Sequence, residues 1–198
     1  MTLLLLAGLA ACDRQSPPPE QAAANAGAPA PVTSGEATAP AASGKGDFSY
    51  TLDRSKAGTP APDIRFRNPD GGDATLRDFA GKPMLVNLWA TWCAPCVAEM
   101  PTLDAVAASH GPKGLGVLTI SQDTQGEKAI ASFFEKHDLP HLKGWVDPEN
   151  GLGFHYATGM LPTTVLYDAQ GKEVVRVIGA MDWNGEEARK LLEEAMAS

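Results

Sequence analysis

Three stretches differ in how their apolar and polar positions are arranged. Residues 3 to 11 form one short apolar run, LLLLAGLAA. Residues 13 to 46 contain no Leu, Ile, Met or aromatic residue and a single valine, Val32. From Asp47 onward the runs and periods of a folded domain set in. IRFR (64–67) and DATL (73–76) flank the turn sequence NPDGG, which predicts a hairpin. MLVNLWA (84–90) is almost continuously apolar and of strand length, the signature of a central strand covered on both faces. Residues 94–109 place Val97, Met100, Leu103, Val106 and Ala107 on one helical stripe, with Pro101 expected to kink it. GVLTIS (116–121) reads as a second buried strand, and a helix over 126–137 turns Ile130, Phe133 and Phe134 inward. LKGWVD (142–147) predicts a short strand and residues 150–157 a short helix. TTVLYD (163–168), the turn AQG and KEVVRVIG (172–179) predict an antiparallel hairpin. A last helix is expected from near Asn184, with Glu187 placed for a capping box and Leu191 and Leu192 facing inward. Strands alternating with helices and ending in a hairpin give an α/β domain with a mixed central sheet flanked by helices.

Charge and cysteine content narrow the function classes. The formal net charge of the chain is −8; the stretch up to residue 46 carries −1 of it and the domain −7, without a basic block. Nucleic acid is therefore not expected as a partner. Three cysteines are too few for a disulfide-stapled scaffold, and the domain is long enough to bury a core without staples.

The first run is far shorter than the roughly 20 apolar residues that span a bilayer. It has the length of a signal-peptide core. Its end, Leu9-Ala10-Ala11-Cys12, resembles a bacterial lipobox, in which the cysteine is lipid-modified and becomes the new N-terminus. No Lys or Arg precedes the run; a start upstream of Met1 and a longer, uncleaved anchor both stay open. Residues 13–46 bury too little apolar surface to offset their ordering entropy and read as a flexible Ala/Pro-rich tether. The expected organisation is a signal and lipobox segment (1–12), a tether (13–46) and a folded domain (47–198), attached to a lipid bilayer by a lipid on Cys12 or by an uncleaved N-terminal anchor.

The remaining cysteines stand in ATWCAPCVAEMP (90–101), where a buried strand gives way to a helix. Cys93 falls at the helix N-terminus and Cys96 one turn inside on the same face, a spacing close to the roughly 5.5 Å that disulfide Cα atoms prefer. The unpaired N–H groups and positive dipole end there favour a thiolate at Cys93. Pro95 fits the first turn, where a missing N–H costs nothing. A zinc site would need a second ligand pair: no other CxxC exists, and His137 and His141 lie far outside finger spacing. A c-type haem would need histidine at position 97, which is valine. No metal is expected. The pair reads as a redox dithiol with Cys93 as the exposed nucleophile and Cys96 as the shielded resolving thiol.

NLWATWCAPCVAEMP, with Pro101 five residues after Cys96, resembles the active-site region of the thioredoxin superfamily. The leading hairpin, GKPMLVNLWATWCAPC, the extra segment between 122 and 150, MLPTTVLYDAQG and GAMDW together resemble its membrane-tethered periplasmic branch, the TlpA/ResA-like thiol–disulfide oxidoreductases, with the ending nearest the TlpA members. The likeness covers about residues 58–197. It implies a thioredoxin-like fold with an N-terminal hairpin and a central insertion, and Cys93 and Cys96 as the catalytic pair. It implies that Leu161–Pro162 is a cis bond facing the CxxC, with the Leu161 backbone free to pair with substrate. Asn87 stands where cytosolic relatives keep a buried aspartate, and an amide cannot accept a proton; the likeness moves that task to Glu99, one turn beyond Cys96. Without the likeness Glu99 reads equally as a solvated helix residue. Trp92 is expected to shield the nucleophile and offer an apolar contact surface, and the histidines at 110, 137, 141 and 155 to be unspecialised.

The resulting expectation is reduction of disulfides in exported client proteins on the periplasmic side of the bacterial inner membrane, with no cofactor beyond the Cys93–Cys96 couple. No histidine separates the cysteines, so the couple should lean reducing, nearer roughly −270 mV than roughly −120 mV. The likeness implies a membrane electron donor of the DsbD/CcdA type. The clients it implies lie in cytochrome oxidase copper-site assembly, or alternatively in cytochrome c maturation. A peroxidase would carry P-x-x-x-T-x-x-C, but Val86 and Ala90 occupy those positions. A Cu(I)-binding chaperone of this fold would space its cysteines as CxxxC.

Overall fold

Residues 48–198 are described in the computed structural model; the segments 1–12 and 13–46, with Cys12, lie outside the described residues. In chain order the elements are β1 (Tyr50–Asp53), β2 (Phe66–Arg67), β3 (Asp73–Ala74), β4 (Met84–Trp89), α1 (Ala94–His110), β5 (Gly116–Ser121), α2 (Glu127–Lys136), β6 (Trp145–Val146), α3 (Gly151–Tyr156), β7 (Thr163–Tyr167), β8 (Glu173–Gly179) and α4 (Glu186–Ala197). The strands form one mixed sheet in the order β1-β8-β7-β4-β5-β6-β2-β3. β4 runs parallel to β5 and antiparallel to β7, which places the apolar run at the centre of the sheet. All six of its residues are buried.

The two-residue period of β4 divides its side chains between two cores. Leu85 and Trp89 join Met100, Leu103, Phe133, Leu191 and Leu192, the layer of α1, α2 and α4. Met84, Val86 and Leu88 join Leu118, Ile120, Leu152 and Tyr156 on the opposite face. Asn87 shares the parity of Leu85 and Trp89, so the strand aims its one polar side chain at the layer that contains α1. A fully buried Leu or Phe contributes about 1.5–3 kcal/mol, which is why the apolar runs of β4, β5 and β7 locate the sheet so directly.

The structure departs from the sequence reading in three places. β1, which the pattern did not signal, pairs antiparallel with β8 from Tyr50↔Gly179 to Asp53↔Arg176. Gly179 is at φ +102°, and a Cβ there would run into the carbonyl oxygen of Ser49. The last helix has no capping box: Gly185 is its N-cap without a side-chain bond. The preceding residues form a turn, with Asn184 N–H donating to Asp182 Oδ1 at 3.0 Å and Gly185 N–H to the Asp182 carbonyl at 2.9 Å. α1, finally, which contains Pro101, buries Glu99 and Asp104 as well as part of the apolar stripe.

β8 also fastens the end of α3. Arg176 donates from Nε and Nη2 to the Glu173 carboxylate at 2.6 and 3.0 Å, and from Nη1 to the Tyr156 carbonyl at 3.0 Å. Both side chains of the pair are buried, at 8% and 2% exposure. Breaking such a pair strands a buried charge, whereas replacing both partners by apolar groups does not. Arg176→Met is therefore expected to lower stability by about 3–5 kcal/mol, and Glu173→Leu/Arg176→Met to recover most of that. Urea unfolding midpoints of the two variants check this.

Candidate active site

β4 ends at Trp89 and α1 begins at Ala94, leaving four residues to turn the chain. Asp123, just beyond β5, secures the turn: Thr91 donates to its carboxylate from the backbone N–H at 2.9 Å and from Oγ1 at 2.7 Å, and Ser121 Oγ donates to it at 2.7 Å. Cys93 is the N-cap of α1, its sulfur accepting from Cys96 N–H at 3.3 Å and its carbonyl from Val97 N–H at 3.0 Å. Pro95 lies in the first turn. Cys93 and Cys96 are joined by a disulfide, with Cα atoms 5.3 Å apart. Cys96 is fully buried and Cys93 is 6% exposed, so the outer sulfur is a narrow opening in the surface and less exposed than the spacing suggested.

That opening faces a groove of about 890 Å³ whose lining includes Trp92, Pro95, Gln122, Phe154, Met160 and Leu161 and, among the described residues, no charged side chain. Trp92, Phe154 and Met160 are 70%, 75% and 55% exposed. Trp92 thus stands out into solvent beside Cys93 as apolar contact surface and is not a packing residue. Leu161–Pro162 is a cis peptide. Leu161 lines the groove, and its backbone has no hydrogen-bond partner among the described residues. The Gln122 Oε1 atom is buried in the lining without a partner.

Beneath the disulfide lies Glu99, fully buried. It is not a solvated helix residue. Its Oε1 accepts from Asn87 Nδ2 at 2.8 Å, and its Oε2 from Met181 N–H at 3.0 Å and Trp183 Nε1–H at 3.3 Å. Asn87 Nδ2 also donates to Thr164 Oγ1 at 2.9 Å, while Asn87 Oδ1 has no partner among the described residues. Burial pushes the Glu99 carboxyl from 4.5 to about 8, against the opposing pull of the Met181, Asn87 and Trp183 donors. A half-turn of the Asn87 amide exchanges a donor for an acceptor at nearly the same position, so this residue can meet Glu99 as a carboxylate or as a carboxylic acid.

The sequence placed Cys93, Cys96, Glu99, Trp92 and Pro162 individually, and the fold gathers all five at one end of the sheet. Asp123, Met181 and Trp183 escaped it; an aspartate in a loop and a tryptophan after a strand give no local sign of whom they will bind. His141, read as unspecialised, binds Asp104 of α1 through its backbone N–H at 2.8 Å and Nδ1 at 2.9 Å. Among the described residues, no group of three His, Cys, Asp or Glu side chains is placed to hold a metal ion. Cys12 lies outside the described residues.

Comparison with known proteins adds a family. The Redoxin family profile matches residues 56–192. The chain is 31% identical over 132 residues to the thiol-disulfide oxidoreductase ResA of Bacillus cereus, covering 67% of this chain and 75% of that protein. It is 33% identical over 118 residues to the thioredoxin-like protein YneN of Bacillus subtilis, covering 58% and 66%. Among solved structures, the pneumococcal exposed lipoprotein thioredoxin of Streptococcus pneumoniae superposes with a TM-score of 0.56 at 30% identity, covering 67% of this chain and 99% of the other. StoA from Bacillus subtilis superposes at 0.56 with 20% identity, covering 68% and 100%, a likeness of fold alone.

Glu99 makes folding pH-dependent. The unfolded chain releases this proton near 4.5 and the folded, oxidised chain keeps it to about 8. Between those values folding takes up a proton, so the Glu99 contribution to stability falls as pH rises through the window, by about 5 kcal/mol at the upper limit. Glu99→Gln is expected to flatten that slope, as measured by denaturant midpoints of the oxidised protein from pH 5 to pH 8.

Proposed function

This chain belongs to the Redoxin family and is a thioredoxin-like thiol–disulfide oxidoreductase, and from that premise we infer that Cys93 and Cys96 are its catalytic pair and that it runs as a reductant of exported client proteins. The observation that supports this most is the disulfide at the N-terminus of α1, open at Cys93 onto an uncharged apolar groove. In the reduced enzyme the Cys93 thiolate, favoured by the helix N-terminus, attacks one sulfur of a client disulfide. The other client sulfur leaves as a thiolate and takes a proton. The Cys96 proton passes to the Glu99 carboxylate, the Cys96 thiolate attacks Cys93 Sγ, and the second client sulfur leaves. Both client sulfurs leave as thiolates and take their protons from solvent, so the client gains two electrons and the enzyme is left with its disulfide and the Cys96 proton on Glu99. A dithiol donor then reverses the exchange, and Glu99 returns its proton to Cys96 as that sulfur leaves.

The acid suits this task because its affinity for a proton, about 8, approaches that of a thiol. Proton exchange between groups of similar affinity needs little driving force. Asn87 cannot accept the proton itself, but it tethers the group that does. In the groove, the free backbone of Leu161 is placed to pair with a client strand running past Cys93, while Trp92, Phe154 and Met160 cover apolar client side chains. No charged residue lines the groove, so the thiolate is stabilised by the helix N-terminus without help from a neighbouring cation. That supports a reducing couple.

A location on the periplasmic side of the membrane is supported by the lipobox-like Cys12 and the tether, and by a similar solved structure described as an exposed lipoprotein thioredoxin. A lipid-anchored enzyme outside the membrane needs electrons carried across it, hence a membrane dithiol donor of the DsbD/CcdA type. The TlpA-like ending at Gly179–Trp183 favours the cysteine pair of a cytochrome oxidase copper site as client over the haem-attachment pair of a c-type cytochrome.

Two measurements test this reading. Cys96→Ser should trap a client through Cys93 as a mixed disulfide that a dithiol releases, and Cys93→Ser should trap none. The Cys93–Cys96 couple, equilibrated in the full chain against a dithiol buffer, should lie near roughly −270 mV. A value near roughly −120 mV would make the protein a disulfide donor and reverse the electron flow.

A further inference from the structure

The GAMDW ending (179–183) has no part in the exchange chemistry described above, yet two of its residues bind the buried acid. Met181 N–H and Trp183 Nε1–H both reach Glu99 Oε2. Trp183 is held to the same helical turn a second time: its backbone N–H donates to Thr102 Oγ1 at 3.2 Å, and Thr102 Oγ1 donates to the Glu99 carbonyl at 2.7 Å. The indole is 2% exposed, so its N–H faces no competing water and its position is fixed at both ends. A buried indole N–H needs an acceptor, and here the acceptor is the carboxyl of Glu99, three residues beyond Cys96 on α1.

Two oxygens of one carboxyl are thereby made unequal. Oε2 accepts two donors that cannot turn away, a backbone amide and an indole. Oε1 accepts one, from Asn87, whose amide can present its unpartnered Oδ1 after a half-turn. A proton on Oε2 would displace fixed donors, whereas a proton on Oε1 meets a group able to receive it. No neighbouring charge among the described residues contributes to the raised proton affinity of Glu99. Cys96 precedes Glu99 on α1, Thr164 of β7 binds Asn87, and Asp182, between the two donors, points its Oδ1 at Asn184 N–H.

We propose that Trp183 is a positioning residue for the redox reaction: its indole N–H, together with the Met181 amide, pins Oε2 of Glu99 and sets the pH at which Oε1 takes and returns the Cys96 proton. This rests on Glu99 being the proton acceptor. A donor to the charged form favours the carboxylate, so losing it raises proton affinity.

The test uses the full chain with Trp183→Phe, and with the Trp183 indole replaced by its benzothiophene isostere, which removes the N–H and keeps the bulk. Two quantities are read: the pH midpoint of the Glu99 carboxyl carbon by NMR in the oxidised protein, identified by its loss in Glu99→Gln, and the pH profile of single-turnover reduction of a mixed disulfide at Cys93. The expected result is an upward shift of roughly one pH unit in both quantities, the same for the isostere as for Trp183→Phe. If wild-type Glu99 titrates and shapes the profile but neither replacement moves it, Trp183 is a packing residue and this proposal falls while the exchange mechanism stands. If Glu99→Gln leaves the profile unchanged, the proton-acceptor reading falls and takes this proposal with it.

Discussion

An ionisable carboxyl buried without a counter-charge is among the most expensive groups to place in a fold, and Glu99 sits in this one with no charged partner among the described residues, its oxygens accepting from three donors. Those donors come from separate parts of the chain: Asn87 from β4, Met181 and Trp183 from the link between β8 and α4. Satisfying one carboxyl therefore fixes the central strand, the active-site helix and the C-terminal segment relative to one another. The same burial raises its proton affinity into the range of a thiol. Structure and chemistry here meet in one constraint, because any change that hydrates Glu99 relieves the fold and at the same time lowers the proton affinity on which the proposed exchange with Cys96 rests.

The surface above follows a different logic. Trp92, Phe154 and Met160 come from the active-site turn, from α3 and from the segment before β7, and all three leave apolar area exposed around Cys93. The buried Arg176–Glu173 pair holds the α3 end through the Tyr156 carbonyl, and Asp123 holds the turn through Thr91. The groove walls are thus set by polar anchors from inside the domain, and the described lining residues are uncharged.

The likeness to known sequences located Glu99, and only the fold explained it. Three residues beyond Cys96, a glutamate on a helix is as readily a solvated residue as a buried acid; what decides is that α1 turns that face onto β4, where the two-residue period aims Asn87. His141 makes the opposite case, a residue dismissed as unspecialised that turns out to bind Asp104 across 37 positions of sequence. The failed capping box at Glu187 is a local competition: Asp182 forms its turn first, and the helix starts after it.

By itself the sequence determined the elements whose burial is continuous or periodic, the central strands β4, β5 and β7 and the helices packed on them, because apolar area removed from water is written directly in residue type and spacing. It also determined the CxxC at a strand–helix junction, since that chemistry is local. Only the tertiary structure decided what surrounds it: the pairing of β1 with β8, the donors that meet Glu99, the anchor at Asp123 and the open face of the groove. Each of these joins residues distant in the chain, and a hydrogen bond between distant residues leaves no period or spacing in the sequence from which it could be read.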